Sequence, residues 1–136
     1  MKQLFHTLNV STDGPGLYEI TDRLADFLKG VGDGLVTCFI RHTSASLLIQ
    51  ENADRDVQKD LTDFFAQLVQ NGMNFRHTAE GPDDMPSHIR SALTQTSIGI
   101  PVKGGKPALG TWQGLYVFEH RDAPHRREVL LHYMGD

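Results

Sequence analysis

The sequence lacks several features that would place a protein in a class at once. Its 136 residues include one cysteine, Cys38, which excludes an intramolecular disulfide framework and favours a reducing compartment. No run approaches the roughly 20 apolar residues of a membrane-spanning helix, and the first ten residues, MKQLFHTLNV, carry no signal-peptide pattern. We therefore expect a cytoplasmic protein with no membrane partner.

Basic charge is also scarce. The chain has 13 lysines and arginines against 17 acidic residues, a formal net charge of -4, whereas nucleic-acid surfaces usually carry a basic patch. We therefore expect no nucleic-acid partner. The sequence also lacks a Walker loop, a GxSxG elbow, a GxGxxG fingerprint and paired CxxC motifs, so none of the enzyme classes that these motifs mark is indicated.

The hydrophobic pattern predicts an α+β fold of mostly antiparallel β-sheets packed with about three helices, in a single domain over residues 1–136. Runs of strands precede and follow the helices instead of alternating with them, which argues against a doubly wound fold. The predicted helices cover residues 18–32, residues 52–72 and a segment that Pro86 begins. The predicted strands cover residues 3–10, 34–42, 44–50, 96–102, 107–113, 114–120 and 127–134.

Three of the seven histidines occupy suggestive positions. His42 ends an apolar strand and is followed by the hydroxyls of Thr43 and Ser44, His77 lies in a long loop, and His88 lies on the third helix. Three converging imidazoles would hold zinc and leave one coordination position open. The histidines are tens of residues apart, so a surface or core-edge position remains the alternative for each.

Four carboxylates are candidates for acid–base chemistry or for binding Mg²⁺. They are Glu51, Asp83, Asp84 and Glu119. Asp83 and Asp84 also suit the cap of the third helix, as Asn52 suits the cap of the second. Glu119 interrupts the apolar run LYVFEH, where a charge requires a partner or a function.

The segment LGTWQG, residues 109–114, carries the only tryptophan. Glycines permit close backbone approach, and Thr111 and Gln113 offer hydrogen bonds beside the aromatic face of Trp112. A structural hairpin and a binding loop are both consistent with this composition.

Several longer motifs resemble one family. RHTSASLLIQENAD, HTAEGPDDMPSHIRSAL, SIGIPVKGGKPALGTWQG and EHR occur in the order typical of the YjbQ family, described as secondary thiamine-phosphate synthases. The resemblance covers nearly the whole chain. It implies an α+β fold, a homotrimer and a histidine-lined site that holds a divalent metal, zinc or magnesium.

The resemblance also implies roles for individual residues by matching motif. The implied metal ligands are His42, His77 and His88. The implied catalytic residues are Glu51, Asn52, Asp84 and Glu119. The implied substrate-binding residues are Thr43, Ser44, Thr111, Trp112, Gln113 and Arg121.

The reaction that the resemblance implies joins hydroxymethylpyrimidine diphosphate to thiazole phosphate. Such a transfer requires neutralisation of the leaving pyrophosphate, a task suited to Mg²⁺, anchored by Asp84 or Glu119, and to Arg121. Trp112 offers a flat face for the pyrimidine. The alternative is a metal-dependent enzyme such as a hydrolase, or a binding protein, for another small phosphorylated or anionic metabolite.

Overall fold

A computed structural model describes residues 1–136 as eight strands and three helices, which confirms the α+β class. The strands are β1 (Lys2–Asp13), β2 (Gly16–Glu19), β3 (Gly34–Ile40), β4 (Ala45–Glu51), β5 (Ser97–Lys103), β6 (Lys106–Pro107), β7 (Gln113–Glu119) and β8 (Pro124–Gly135). The helices are α1 (Thr21–Phe27), α2 (Arg55–Leu68) and α3 (Asp84–Leu93). None of the three helices is long and apolar enough to cross a bilayer.

The first sheet has five antiparallel strands in the order β1-β8-β3-β5-β6. Its strands alternate between a buried and an exposed face, as the two-residue period of a strand requires. In β3, for example, Val36, Cys38 and Ile40 are buried, while Leu35 and Phe39 are exposed. The buried face forms most of the hydrophobic core, and the outer face retains large apolar side chains.

The second sheet has three antiparallel strands in the order β2-β7-β4, and its central strand is buried on both faces. Leu115 and Val117 of β7 belong to the core. On the opposite face, Tyr116 accepts a hydrogen bond from Gln58 of α2, and Phe118 packs edge-on against a phenylalanine of the same helix. Because side chains alternate along β7, Glu119 points to the same side as Leu115 and Val117, between the two sheets.

The helix boundaries differ from the predicted ones. Asp54 caps α2 by accepting a hydrogen bond from the backbone N–H of Asp56 at 2.9 Å, whereas the side chain of Asn52 donates to Glu19. The helix α3 begins at Asp84, two residues before Pro86. Position in the folded chain, and not residue type alone, selects the capping residue.

Two predicted segments were wrong. Residues 18 and 19, which the prediction placed in the first helix, belong instead to β2, which pairs with β7 in the second sheet. Of the expected strand 107–113, only Pro107, in β6, and Gln113, the first residue of β7, are paired in a sheet. In the remainder, the N–H of Gly110 donates to the side chain of Gln113, which closes a local turn.

Candidate functional site

Four side chains with metal-binding atoms meet where α3 begins. They are His77, Glu80, Asp84 and His88, and one ligand atom of each lies within 4.8 Å of the others. We call them the histidine–carboxylate group. His77 and Glu80 come from the loop between α2 and α3, while Asp84 and His88 lie one turn apart on the same face of α3.

Asp84 is at the centre of this group and is almost fully buried. Its Oδ2 lies 2.6 Å from His77 Nε2 and 3.1 Å from His88 Nε2, and its Oδ1 accepts a hydrogen bond from Arg121 at 2.8 Å. Burial alone would raise the pKa of Asp84. The hydrogen bond with His77 and the positive charge of Arg121 outweigh burial and lower the pKa below its usual value, so the carboxylate is ionised.

His88 has a tautomer that the structure fixes. Its Nδ1 lies 2.9 Å from the backbone oxygen of Thr43, and because a carbonyl only accepts, Nδ1 carries the hydrogen. In the neutral ring Nε2 then presents a lone pair to the carboxylate of Asp84 at 3.1 Å. Two facing lone pairs repel each other, so this contact is attractive only when a proton or a cation lies between them.

The spacing of the group fits a divalent ion. Ligand atoms of tetrahedral zinc, with bonds of about 2.0–2.1 Å, lie about 3.3 Å apart. The contacts of 2.6 and 3.1 Å to Asp84 and of 4.0 Å between His77 and Glu80 bracket that value. Side-chain exposure rises from 2% for Asp84 to 66% for Glu80, so the group opens to solvent on one side. Two imidazoles favour zinc or a similar transition metal over magnesium.

Arg121 holds the carboxylates of Asp83 and Asp84 in place through hydrogen bonds. Its Nε donates to Asp83 at 2.9 Å, its Nη1 donates to Asp84, and its Nη2 donates to the backbone oxygen of Glu80. The hydrogen bond to Asp83 raises the pKa of Arg121. These contacts correct the expectation that Arg121 grips phosphate, because its guanidinium is already committed to Asp83 and Asp84.

The structure separates His42 from the histidine–carboxylate group, contrary to its predicted role as a ligand. His42 Nε2 accepts a hydrogen bond from the backbone N–H of Glu128 at 2.8 Å, which occupies the lone pair a metal would need. Its other ring nitrogen faces Arg127 at 3.5 Å. Burial, followed by the charge of Arg127, lowers the pKa of His42 and keeps the ring neutral.

Glu119 is a structural carboxylate and not a catalytic one. It is completely buried, and its oxygens accept hydrogen bonds from Thr12, from two nitrogens of Arg127 and from the backbone of His120 and Arg121. Arg127 also binds the hydroxyl of Ser44, which is therefore part of this buried network and does not face a ligand.

The remaining predicted site residues lie at the opposite end of the second sheet. They are Glu51, Asn52, Thr111, Trp112 and Gln113, and they gather where β4 ends and β7 begins. The strand β4 spans seven residues, so the two ends are about 20 Å apart at about 3.3 Å per residue. Within one chain these residues and the histidine–carboxylate group do not form one site.

Two pockets flank the histidine–carboxylate group. His88 and His42 line a pocket of ≈ 500 Å³, to which Thr43, Phe39 and Arg41 also contribute. His77 lines a second pocket of ≈ 300 Å³, whose other walls include Phe75, Met73, Met85 and two prolines. A ligand bound at the group can therefore extend to either side.

Sequence reasoning missed Glu80 and Arg41. Glu80 had a readable signal, because His77, Glu80, Asp84 and His88 follow one another at intervals of three, four and four residues. Such intervals place side chains on one side of a helical path. Arg41 had no such signal, since only the packing of β3 beside α3 brings it to the pocket.

Comparisons with known proteins agree over nearly the whole chain. The family model of YjbQ-like UPF0047 proteins matches residues 6–136. A UPF0047 protein of Synechocystis sp. is 53% identical over 132 residues, which cover 95% of this chain and 90% of the relative. The UPF0047 protein YjbQ of Escherichia coli O157:H7 is 40% identical over 134 residues, covering 96% of each chain. The crystal structure of a YjbQ/UPF0047 protein from Clostridium acetobutylicum superposes with a TM-score of 0.84 at 32% identity, covering 96% of this chain and 99% of that one.

Two antiparallel sheets that position a histidine–carboxylate group at the start of a helix define a small α+β protein with a candidate metal centre. The family match makes the assignment specific. The chain belongs to the YjbQ-like UPF0047 family, which confirms the resemblance seen in its motifs.

Another histidine, His120, is buried directly after the end of β7. Its Nε2 lies 3.0 Å from the hydroxyl of Ser46, and its ring packs on Phe118. Burial, followed by the charge of Arg90, lowers the pKa of His120 to about 3. The unfolded chain therefore takes up a proton near pH 6.5 that the folded protein excludes until about pH 3.

This difference predicts a loss of stability in mild acid. As pH falls below 6.5, His120 should lower the free energy of unfolding by up to about 1.4 kcal/mol per pH unit. The variant His120→Gln, which is neutral at every pH, should show a shallower decline between pH 6.5 and 4.5 in urea unfolding. The exposed control His6→Gln should keep the wild-type slope. Equal slopes for His120→Gln and the wild type would contradict the assignment.

Proposed function

We propose that this protein is a divalent-metal-dependent enzyme that acts on a small phosphorylated metabolite at the histidine–carboxylate group. The observation that supports this proposal most directly is the contact of His88 with Asp84. Thr43 fixes the hydrogen on His88 Nδ1, which leaves the Nε2 lone pair facing an ionised carboxylate at 3.1 Å. A cation between these atoms turns a repulsive contact into two ligand bonds.

His77, Asp84 and His88 are the proposed ligands, with Glu80 as a solvent-exposed fourth group. When bound, the metal supplies positive charge that stabilises the oxygens of a phosphate or diphosphate. Thr43 and Arg121 position His88 and Asp84 through hydrogen bonds, as outer partners of metal ligands commonly do.

The pocket of ≈ 500 Å³ beside His88 is the proposed substrate pocket. Phe39 and Ile40 give it an apolar wall, and Arg41 offers a guanidinium that is paired only with Glu128, at 3.6 Å on the surface. Exposed ion pairs of this kind are weak, so Arg41 is free to bind a phosphate oxygen instead.

The family resemblance favours a specific reaction at this site, the transfer that forms thiamine phosphate. The thiazole nitrogen attacks the exocyclic carbon of the pyrimidine, a carbon–nitrogen bond forms, and the carbon–oxygen bond to diphosphate breaks. Pyrophosphate leaves with the bonding electron pair. In this reaction Arg41 binds the departing diphosphate, and the apolar wall of the pocket holds the pyrimidine.

One observation favours hydrolysis as a second candidate. Glu80 is two-thirds exposed and lies 4.0 Å from His77, so water reaches the group from its side. A carboxylate in that position can accept a proton from water while the water oxygen bonds to phosphorus, the phosphorus–oxygen bond to the leaving group breaks, and that group departs with the electron pair. The products then contain no new carbon–nitrogen bond.

The metal proposal predicts selective loss of zinc binding. His88→Ala and Asp84→Asn should weaken zinc affinity, measured by calorimetry, by more than the roughly 10–100-fold that loss of an outer partner costs. His42→Ala should bind zinc with nearly wild-type affinity, because His42 lies outside the group. Equal losses for His42→Ala and His88→Ala would assign the ions to a different ligand set.

The reaction proposal is tested with the metal-loaded protein, hydroxymethylpyrimidine diphosphate and thiazole phosphate. Chromatography should detect thiamine phosphate and pyrophosphate in equal amounts, and His88→Ala should reduce the rate at least about 100-fold. The control His6→Ala should retain the rate. Phosphate release without thiamine phosphate would favour the hydrolase, and the absence of both products would contradict both reactions.

We also propose that the protein is a homotrimer, as the family resemblance implies. The outer face of the first sheet supports self-association, because four large apolar side chains remain exposed there. They are Phe5, Leu35, Phe39 and Met134. The register places them on one surface, where Phe5 is opposite His132 and Leu35 is opposite Met134. Phe39 also borders the pocket of His88, so a neighbouring subunit on this face would adjoin the site.

Light scattering after gel filtration should give three times the mass of one chain. Leu35→Glu should convert the trimer to smaller species, because a charge cannot be buried unpaired at an apolar interface. The matched control Leu68→Glu changes an equally exposed leucine on α2 and should leave the mass unchanged. A wild-type monomer, or an intact trimer in Leu35→Glu, would contradict this interface.

A further inference from the structure

We infer that the chain has a second binding site, for a small oxyanion, in the pocket between α2 and β7 that Arg90 lines. The site does not use the histidine–carboxylate group. The shared chemistry of its ligands is a compact anionic group with oxygen acceptors, such as inorganic phosphate or a small carboxylate.

Arg90 is buried without sufficient partners. It is only 7% exposed, and it donates to the backbone oxygens of Val69 at 2.6 Å and of His120 at 3.3 Å. Its Nε has no hydrogen-bond partner and is the one buried side-chain nitrogen or oxygen in the chain with none. A guanidinium carries five N–H donors, so most of its capacity remains unused.

Its charge is also uncompensated. Arg121 pairs with Asp83 and Asp84, and Arg127 pairs with Glu119, but no carboxylate lies within 4.0 Å of Arg90. Both acceptors of Arg90 are neutral carbonyls, one of them at the C-terminal end of α2. A buried charge without a counterion costs free energy, which a bound anion would recover.

The pocket at Arg90 supplies further donors. Its volume is ≈ 230 Å³, and the side-chain amides of Asn71 and Gln70 line it beside Arg90. Gln70 donates one amide N–H to the backbone oxygen of Gln67 and keeps the other. A water molecule occupies about 30 Å³, so the space fits a tetrahedral oxyanion with a few waters. It is smaller than the roughly 300–1,000 Å³ of pockets for larger organic ligands.

Two acidic residues also line the pocket, and neither blocks an anion. Glu119 is neutralised by Arg127 and uses both oxygens in hydrogen bonds. Asp122 is exposed to solvent, which screens its charge. Arg90 therefore provides the one unpaired buried charge at the pocket.

The pocket is separate from the candidate metal centre although both use α3. Arg90 follows His88 by two residues, which turns its side chain about 200° around the helix. His88 accordingly faces Thr43 at the end of β3, whereas Arg90 faces α2 and β7. An anion bound at Arg90 therefore lies on the side of α3 opposite to His88.

Nuclear magnetic resonance can locate this site directly. Inorganic phosphate and acetate are titrated separately into the full-length protein at constant ionic strength, while the side-chain Nε–H of Arg90 and of Arg121 and the amide of Asn71 are followed. We expect saturable shifts at Arg90 and Asn71 with at least one of the anions. The anion that binds more tightly shows whether the site prefers a phosphate or a carboxylate group. Shifts confined to Arg121 would place the anion at the metal centre and overturn the inference.

Matched variants distinguish anion binding at this site from a general effect of the protein's charge. Arg90→Gln should weaken binding at least about tenfold, while Arg126→Gln, which removes an exposed positive charge, should leave the affinity unchanged. Because Arg90 also stabilises the end of α2, Asn71→Asp is a second test that adds a negative charge at an exposed position. It should weaken binding to a similar extent. Wild-type affinity in Asn71→Asp and Arg90→Gln, or no saturable shift with either anion, would overturn the site.

Discussion

The buried ion pair between Glu119 and Arg127 connects the two sheets of this protein. Glu119 ends the central strand of the second sheet, and Arg127 lies on β8, which is flanked by β1 and β3 in the first. Thr12, from a third strand, donates to the same carboxylate at 2.6 Å. A buried carboxylate is stable only when its charge and its lone pairs are satisfied, and loss of one partner of such a pair typically costs about 3–5 kcal/mol. The interior between the sheets is therefore specified by polar geometry as well as by apolar packing.

The same pair positions both sides of the histidine–carboxylate group. One oxygen of Glu119 accepts the backbone N–H groups of His120 and Arg121, which sets the direction in which the chain leaves the strand. Arg121 then reaches Asp84. On the other side, Arg127 binds the backbone oxygen and hydroxyl of Ser44, next to the Thr43 carbonyl that orients His88. Residues that cannot touch a ligand thus determine the geometry of those that can.

The sequence predicted the α+β class and most strands because apolar residues recur with a clear period, as in β3 and β8. It did not predict the strand at residues 16–19, whose pairing with β7 is a non-local contact that no local pattern contains. The same limit applies to the site. The sequence made His42 and His88 equal candidates for a metal ligand, but only the fold gives the lone pair of His42 to the backbone of Glu128. The role of a polar residue depends on which partner has already satisfied it.

The charge balance of the site implies that protons and the proposed metal would compete for it. Glu80, Asp83 and Asp84 contribute three negative charges and Arg121 contributes one positive charge, which leaves a net charge of -2 around two imidazoles. Two protons on His77 and His88 neutralise that charge, and so does one divalent cation. A divalent cation bound as proposed would therefore displace the protons, as ligand deprotonation generally requires. In either state the group itself carries no excess of positive charge, so Arg41, which lines the adjoining pocket, is the cation that the proposed anionic substrate would meet there.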